Sequence, residues 1–426
     1  KSKESSGKDG LQMVRELKHT EIGDIPVDWE LQTFDETFRV ISNNTLSREN
    51  LNNRGGAVRN IHYGDILTKF PEVLDCNEDE IPFINDLSLL SSSTQLLQDG
   101  DVVIADTAED ETVGKVTEVQ NLGNGKLVAG LHTIPCRVKK GDFAPGWLGY
   151  YMNSNLFHNQ VISFITGIKV SSISKGAIAE TLILIPPKEK QILIVEALKE
   201  IDRLIHCKKK IISKKKGIKK GVCQQLLTGK YKLDEFCDCA WTKSKIGALG
   251  QLIKNSFDPQ QFQNELFWEY SMPAYDDGRK PYRMIGKSMS SMRFSISAPI
   301  LLFNKLNVRQ KRVWYVEQSE ENSLCSTEFL PFISNKVDLY FLKELLLSDA
   351  ITFDFENMST GTSNSQKRIS PESFLEYEVF IPEDKKEQEA IAMILKDINC
   401  EIESEENELR KIEKVKQGMI SKFFES

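Results

Sequence analysis

The chain has 426 residues, of which 40% are hydrophobic and 27% are charged, and its formal net charge is -7 at pH 7. This length corresponds to two or three domains with real hydrophobic cores. The longest apolar runs, such as TLILIPP and APILLF, are far shorter than the roughly 20 residues of a membrane-spanning helix. Eight cysteines without a regular spacing predict a reduced, cytoplasmic protein and argue against a disulfide-rich secreted one.

The first domain is predicted over residues 20–187, after a polar and flexible N-terminal segment at residues 1–19. It contains short alternating apolar runs bounded by Gly, Asn and Asp, such as QDGDVVIAD (98–106), NLGNGKLVAG (121–130) and ETLILIP (180–186). Such runs are typical of strands joined by turns. Because helical stretches such as PGWLGYYMNSNLF lie between them, we expect an α+β fold with a small sheet.

A long helix is predicted at residues 188–232, where strong helix formers run without proline to a turn that contains Gly. At about 1.5 Å per residue, such a helix spans roughly 60 Å. Two apolar stripes lie along it: Ile194, Leu198, Ile201 and Ile205 early in the helix, and Leu204, Ile211 and Ile218 at intervals of seven residues. Both stripes are candidates for a packing seam.

The same plan follows in the second half, with an α+β domain at 233–382 and a second long helix at 383–426. Apolar residues of the second helix alternate at three- and four-residue spacings, with one gap at Glu405, which is the pattern of a coiled coil. They are Ile391, Leu395, Ile398, Ile402, Leu409, Ile412, Met419 and Phe423.

Opposite charges in the two helices predict how they pair. Residues 208–220 contain eight lysines and no acid, whereas residues 401–408 contain five glutamates and no base. Both blocks lie near the middle of their helices, so antiparallel pairing sets them against each other. The sequence therefore predicts an intramolecular antiparallel coiled coil. The alternative is that the lysines form a stripe that binds phosphates directly.

Landmarks in the same order close each domain and begin each helix. Thr166-Gly167, Ile173-Ser174, Ile185-Pro186 and Gln191 correspond to Thr360-Gly361, Ile369-Ser370, Ile381-Pro382 and Gln388, at offsets of 194 to 197. A weaker similarity relates the segments around Trp29 and Trp241. We interpret the pattern as a tandem duplication with a period of about 200 residues, far longer than a solenoid repeat.

The sequence contains no clear motif for catalysis. The sequence has no GxxxxGK[ST] phosphate loop, and Gly123-Asn-Gly-Lys126 is better explained as a hairpin turn. The five histidines lack metal-ligand spacing, and Cys237-Asp-Cys239 has neither a second pair nor a nearby histidine. The acids of DTAEDET (106–112) are better explained as an exposed loop than as a metal site. We therefore expect a protein that binds rather than catalyses.

The window 243–316 is basic although the whole chain is acidic. It contains twelve Lys and Arg and five Asp and Glu, a local net charge of +7, interleaved with aromatic residues. A basic surface of this kind is the electrostatic footprint of a nucleic-acid-binding protein. The alternative is an ordinary solvated basic face.

Taken in order, these motifs resemble the specificity (S) subunits of type I restriction-modification systems, over almost the full length of the chain. In that family a frame similar to IGxIPxxW opens a target recognition domain, and a strand ending in Pro precedes a long helix with Gln near its start. The frame is present here as Ile22-Gly23-Asp24-Ile25-Pro26 with Trp29, then Ile185-Pro186 and Gln191. The second half retains Trp241, Ile381-Pro382 and Glu387-Gln388, although its opening frame is weak.

The resemblance implies that each recognition domain reads one half of a bipartite sequence in double-stranded DNA, while the coiled coil sets the unread spacer. It implies two methyltransferase (M) subunits and restriction (R) subunits as partners. S-adenosylmethionine, ATP and magnesium would belong to those partners, with no cofactor or metal in this chain. The alternatives are the recognition subunit of a related type II system, a two-headed protein-binding adaptor and a single-chain enzyme, for which no catalytic constellation is present.

Candidate DNA-contacting residues are the basic and small polar side chains predicted on loops, because bidentate donors read guanine and amides pair with adenine. In the first half they are Arg54, Arg59, Lys69, Lys115, Lys169 and Ser171. In the second half they are Arg279, Lys280, Arg283, Lys287, Arg293, Arg309, Lys311, Arg312, Lys367 and Arg368.

Overall fold

The structure is a computed structural model that describes residues 16–165 and 171–424. Most of the predicted N-terminal segment, the Thr166-Gly167 landmark and the candidate Lys169 lie outside the described residues. The described chain divides into two units, one formed by residues 16–207 with 409–424 and the other by residues 208–408.

The first unit is a mixed α/β structure. Its strands are β1 (Leu17–Thr20), β2 (Gly23–Pro26), β3 (Glu30–Thr33), β4 (Phe38–Val40), β5 (Leu51–Asn52), β6 (Arg59–Ile61), β7 (Val73–Asp75), β8 (Phe83–Ile84), β9 (Val102–Ala105), β10 (Thr107–Ala108), β11 (Val116–Gln120), β12 (Leu127–Ala129), β13 (Thr133–Val138), β14 (Ser171–Ser172) and β15 (Leu182–Ile185). Its short helices are α1 (Phe34–Thr37), α2 (Tyr63–Thr68), α3 (Trp147–Met152), α4 (Asn155–Ile162) and α5 (Lys175–Ala179). They precede the long helix α6 (Lys188–Leu226).

The strands of the first unit form a five-stranded sheet in the order β4-β13-β9-β11-β7 and a four-stranded sheet in the order β12-β6-β8-β5. Strand β15 pairs with β3 in a separate two-stranded ribbon. The core packs the aromatic rings of α3 and α4 against these strands, and Trp147 lies 5.2 Å from the ring of Phe424 in the last turn of the chain's final helix.

The second unit repeats this plan. Its strands are β16 (Trp241–Lys245), β17 (Gln251–Leu252), β18 (Ser256–Phe257), β19 (Leu266–Tyr270), β20 (Tyr282–Ile285), β21 (Arg293–Ser295), β22 (Ile300–Asn304), β23 (Val313–Val316), β24 (Ser323–Ser326), β25 (Phe329–Ile333) and β26 (Glu378–Pro382). Its helices are α7 (Ile246–Leu249), α8 (Met272–Asp276), α9 (Leu339–Leu346), α10 (Asp349–Met358), α11 (Pro371–Glu376) and the long α12 (Lys385–Phe424). The sheet order β17-β25-β22-β23 matches β4-β13-β9-β11 of the first unit.

Strand register supports the predicted correspondence of the two tryptophans. Glu30, which follows Trp29, pairs with Ile185, and Thr242, which follows Trp241, pairs with Ile381. Both tryptophans therefore lie at the start of the strand that pairs with an Ile-Pro strand, Trp29 directly before β3 and Trp241 as the first residue of β16. The expected α+β architecture with two long helices is confirmed.

The two long helices pack together in antiparallel directions, as the charge blocks predicted. Within the second unit Lys208 of α6 pairs with Glu408 of α12, and Lys215, two turns further along α6, pairs with Glu401. Residue numbers therefore rise along one helix as they fall along the other.

The predicted seam of α6 was partly wrong. Leu204, Ile211 and Ile218 are 47%, 39% and 62% exposed, whereas Ile205 and Ile212 are buried. Because two neighbouring stripes share the same seven-residue spacing, periodicity could not choose between them. The buried stripe also contains Lys208 and Lys215, whose charges hide it in a hydrophobicity pattern.

The seam of α12 has a second polar gap in addition to the one predicted at Glu405. Lys416 is only 9% exposed and occupies the seam position between Ile412 and Met419. At the end of the helix Phe424 is buried, at 3% exposure, whereas the predicted Phe423 is only partly buried.

The turn at Gly123–Lys126 is present, but it does not join a hairpin. Gly123 has a left-handed φ of 58°, as a tight turn requires. The flanking strands lie in different sheets, because β12 pairs in parallel with β6 whereas β11 pairs with β9 and β7.

Candidate nucleic-acid interface

The repeated Ile-Ser landmark fixes the end of each domain's polar loop. Ser174 and Ser370 are the N-caps of α5 and α11, and their hydroxyls accept backbone N–H groups at 3.1 Å and 3.0 Å. The preceding Ile173 and Ile369 are buried. In the second unit, a Cβ at Gly361 would approach the carbonyl oxygen of Gln366 to 2.7 Å, so that loop requires glycine.

The same landmark ties each polar loop to a β-hairpin. Ile173 donates its N–H to the carbonyl of Asp106 at 2.9 Å, and Ile369 donates its N–H to the carbonyl of Lys305 at 3.1 Å. Asp106 and Lys305 each follow an inner strand of their sheet, β9 and β22. The two hairpins therefore hold equivalent positions in the two units.

Further backbone bonds establish this equivalence residue by residue. Ala105 donates to the carbonyl of Lys115 at 2.9 Å, and Asn304 donates to that of Arg312 at 3.0 Å. We call residues 106–114 the first hairpin loop and residues 305–311 the second hairpin loop. The first contains four acids and no Lys or Arg, whereas the second contains three bases and no acid.

Several predicted DNA contacts of the second unit are instead held by carboxylates of the same unit. Both Arg293 and Arg312 donate two hydrogen bonds to one acid each, Glu269 at 2.8 and 2.6 Å and Asp276 at the same two distances. The hydrogen bonds from Arg312 lower the pKa of the Asp276 carboxyl. Guanidinium groups engaged in this way stabilise the domain and are less available to a ligand.

Other bases near the second hairpin loop are also paired. Lys311 donates to Asp349 at 2.5 Å, and Arg368 donates to Glu328 at 3.0 Å. The pKa of Arg368 is raised by its hydrogen bonds with Glu328. Lys367 is half-buried, and its carbonyl accepts the N–H of Asn307 from the hairpin loop.

The most exposed predicted residues lie at the edge strand β20 and at the hairpin tip. Lys280, Arg283 and Lys287 are exposed and form no ion pair with any residue that the structure describes. The guanidinium of Arg283 lies 5.8 Å from the ring of Trp268. Arg279 and Arg309 have only long contacts, at 3.7 Å to Glu403 and 3.4 Å to Glu356.

The candidates of the first unit are scattered. Arg54 is exposed on the loop after β5, and Ser171 lies in β14, which pairs with β10. The other three donate to backbone carbonyls: Arg59 to Cys76, Lys69 to Glu80 and Lys115 to Leu67. Three of the described candidates in the first unit are thus held by backbone carbonyls, whereas Lys280, Arg283 and Lys287 of the second unit are exposed.

Lys305, which opens the second hairpin loop, is not among the residues predicted from the sequence to contact DNA. Its equivalent in the first unit is Asp106, which lies 3.5 Å from His132. Lys305 lies in the basic window at residues 243–316, which could have indicated it as a candidate. Its correspondence with Asp106 could not be predicted, because it depends on strand register.

The lysine block of α6 faces the glutamate block of α12. Lys208 donates to Glu405 at 2.7 Å, and Lys215 contacts Glu405 and Glu401 at 3.2 Å each. Hydrogen bonds from Lys208 and Lys215 lower the pKa of the Glu405 carboxyl. Because these lysines are neutralised within the protein, the alternative of a phosphate-binding stripe loses its main support.

Both seams also contain an equivalent buried or half-buried lysine. In the first unit Lys416 contacts Glu72 and Asp202 at 2.7 Å each. In the second unit Lys219, 197 residues earlier, contacts the buried Glu344 at 3.1 Å. Burial raises the pKa of Glu72, but the charge of Lys416 more than offsets this and leaves the pKa below its ordinary value.

The described part of the chain contains no group of side chains that is arranged to bind a metal ion. Within residues 16–165 and 171–424, no three His, Cys, Asp or Glu side chains are grouped as a metal site requires. The acids of the first hairpin loop are exposed at Glu109, Asp110 and Glu111.

The first copy of the duplicated frame is similar to a known protein family. Residues 26–214 match the family model described as the type I restriction modification DNA specificity domain. The match covers less than half of the 426-residue chain, so the similarity to this family is one of the first half of the chain. The family match lies on the first repeat, and the landmarks above extend the same frame to the second.

Two curated relatives come from Methanocaldococcus jannaschii. The putative type I restriction enzyme MjaX specificity subunit is 25% identical over 272 residues, which are 62% of this chain and 59% of that protein. The type I restriction enzyme MjaVIII specificity subunit is 24% identical over 229 residues, 53% of this chain and 51% of that protein. The matched region thus spans between half and three-fifths of the length of these relatives.

The fold also resembles a solved structure. The S subunit of a type I restriction-modification system from M. genitalium matches with a TM-score of 0.55 and 12% identity, over 93% of this chain and 96% of that one. Among the described residues, no helix is both long and apolar enough to cross a membrane.

Proposed function

We propose that this protein is the sequence-specific DNA-binding subunit of a type I restriction-modification complex and has no catalytic activity of its own. Its two recognition domains, at residues 20–187 and 233–382, would each bind one half of a bipartite target in double-stranded DNA. The two long helices would determine the unread spacer between the half-sites. The observation that carries the proposal is the duplicated frame with two differently charged hairpin loops at equivalent positions.

The exposed bases at the edge strand and hairpin tip support a DNA-binding role for the second domain. Lys280, Arg283 and Lys287 are not neutralised by the protein, so each can replace a counterion on a phosphate. Arg279, Arg309 and Lys367 lie on the same domain with weak or no side-chain ion pairs, and we include them in the interface. We assign the tightly paired Arg293, Arg312 and Arg368 to positioning the loops.

In the first domain, Arg54 is exposed and is a proposed contact, as are Arg59, Lys69, Lys115, Lys169 and Ser171. The acidic first hairpin loop opposes a phosphate contact at that position. We therefore propose that the two domains bind their half-sites with different chemistry.

The proposed partners are two methyltransferase subunits and the restriction subunits, which would hold S-adenosylmethionine, ATP and magnesium. A docking face on the helices is supported by the exposed apolar stripe of Leu204, Ile211 and Ile218, because a solvent-exposed apolar stripe on a long helix favours protein association.

Methylome sequencing tests the proposal. Cells that carry this gene with its neighbouring methyltransferase gene should show a bipartite adenine-methylation motif with a fixed unread gap. Cells with the methyltransferase gene alone are the control and should lack the motif. If no motif depends on this chain despite expression of both proteins and an active methyltransferase, the proposal fails and a protein-binding adaptor becomes the better explanation.

A further inference from the structure

The two hairpin loops are equivalent in position but opposite in charge, and this contrast identifies them as places where the two domains differ. Matching backbone hydrogen bonds fix both hairpins in the same frame, through Asp106 in the first unit and Lys305 in the second. The loops differ in length, sequence and charge on that common frame. Loops that vary on a rigid scaffold are where binding specificity is usually encoded.

The second hairpin loop is held in an unusual conformation. Asn307 and Lys311 have left-handed φ angles of 50° and 51° and flank a single 3-10 turn at Val308–Gln310. Non-glycine residues adopt this conformation at a cost, which the surrounding structure must offset. Here Asn307 donates its N–H to the carbonyl of Lys367 at 2.8 Å.

The other end of the loop is fixed more firmly. The Lys311 ammonium donates to the carbonyl of Leu347 at 3.1 Å and to Asp349 at 2.5 Å. The next residue, Arg312, makes its two hydrogen bonds to Asp276. The tip between Asn307 and Lys311 is therefore presented in one orientation.

Arg309 is the base at this tip. Its side chain is 47% exposed and contacts only Glu356 among the described acids, through one nitrogen at 3.4 Å. The paired Arg312, by contrast, has the Nε and Nη2 edge of its guanidinium occupied by Asp276 and an 18% exposed side chain. Arg309 is thus a pre-positioned guanidinium with free donors, the group that fits the O6 and N7 acceptors of guanine in the major groove.

We propose that Arg309 is a specificity-determining residue of the second recognition domain, donating two hydrogen bonds to one guanine of its half-site. Lys311 and Arg312 are positioning residues for the loop. The first hairpin loop offers carboxylates at the equivalent position, so this guanine contact belongs to one half-site alone. The inference rests on the proposed function and deepens it.

The test uses Arg309→Ala and Arg309→Lys in the complex with the methyltransferase subunits. Binding is measured to duplexes carrying the motif found by methylome sequencing, with each base pair of both half-sites replaced in turn. Both variants should lose roughly 5- to 150-fold discrimination at one G·C pair of one half-site. Arg309→Lys should keep the wild-type salt dependence, because it keeps the charge. Glu109→Gln, in the first hairpin loop, is the matched control and should leave that G·C pair fully discriminated.

Two results would overturn the inference. If Arg309→Ala weakens binding to all duplexes equally and lowers the slope of log affinity against log salt by about 0.9, the residue contacts a phosphate. Unchanged discrimination in both variants would remove Arg309 from the interface. Failure of the wild-type complex to produce any motif is a different result, because it contradicts the proposed function itself. Urea unfolding of both variants verifies that the fold is retained.

Discussion

Gln191 and Gln388 make the same pair of side-chain hydrogen bonds at the start of the two long helices. Each accepts a backbone N–H through its side-chain oxygen, from Ala144 at 2.8 Å and from Asp338 at 2.9 Å. Each also donates to a proline carbonyl at 2.8 Å, that of Pro186 or Pro382. The repeated glutamine thus joins the strand that ends each domain, the helix that follows it and the start of α3 or α9.

Replacement of either glutamine should destabilise its own unit. Both side chains are 1% exposed, so Gln191→Ala or Gln388→Ala leaves a buried N–H and a buried carbonyl without partners. We expect a loss of about 1 to 3 kcal/mol in the free energy of unfolding, measured by urea denaturation. Gln224→Ala and Gln417→Ala, on exposed positions of α6 and α12, are the controls. Equal stability of all four variants would contradict the assigned role.

Reversal of one charge should weaken the pairing of the two helices. Glu405 accepts hydrogen bonds from Lys208 and lies 3.2 Å from Lys215, so Glu405→Lys places three ammonium groups together. The urea midpoint should fall, and the triple variant that adds Lys208→Glu and Lys215→Glu should recover part of it. Glu383→Lys, on the exposed segment before α12, should have little effect. A urea midpoint for Glu405→Lys equal to that of the wild type would show that the ion pairs of Glu405 with Lys208 and Lys215 do not stabilise the pairing of the two helices.

The ion pairs of Glu405 with Lys208 and Lys215 also predict that stability depends on pH. Hydrogen bonds from Lys208 and Lys215 place the folded-state pKa of Glu405 below its ordinary value of 4.5. A carboxyl with a depressed pKa stabilises the fold above pH 4.5 and loses that contribution as the pH falls from 4.5 through the folded-state pKa. Urea midpoints of the wild type should therefore fall more steeply below pH 4.5 than those of Glu405→Gln. The same pH dependence of the urea midpoint in the wild type and in Glu405→Gln would contradict this role of Glu405. Glu383→Gln is the control.

Removal of the buried Lys416 should cost more stability than removal of an exposed lysine. Lys416→Met leaves the carboxylates of Glu72 and Asp202 close together without the cation between them. We expect a loss of about 3 kcal/mol in the free energy of unfolding. Lys414→Met, two residues earlier on the exposed side of α12, should change it little. A further Glu72→Gln substitution should restore part of the loss, and its failure to do so would exclude charge repulsion as the cause.

Exposed and paired arginines should respond differently in DNA binding. Arg283→Ala removes an unpaired cation and should reduce the slope of log affinity against log salt by about 0.9 without changing sequence preference. Arg293→Ala removes the two hydrogen bonds to Glu269 and should lower the urea midpoint instead. Lys386→Ala, at the start of α12, is the control for unspecific charge loss. An unchanged salt slope for Arg283→Ala would exclude the residue from the interface.

The sequence predicted only in part which basic residues are exposed and which are paired. The basic window and its aromatic residues identified the second domain as the more basic one. The sequence could not distinguish Arg309 from Arg312, because the decisive partners Glu356 and Asp276 lie 47 and 36 positions away in the chain. Ion pairing of this kind depends on which loops the fold brings together.

The sequence by itself determined the duplication, the two long helices and their antiparallel pairing, because residue order, periodicity and blocks of charge are properties along one dimension. Only the tertiary structure decided which stripe of α6 is buried, that Lys416 fills a gap in the seam and that the two hairpin loops are equivalent. Those features depend on contacts between residues that are distant in the chain. Lys416 can occupy an apolar seam because Glu72 and Asp202 contact its ammonium group. Asp106 and Lys305 are equivalent because matching backbone hydrogen bonds align the two hairpins.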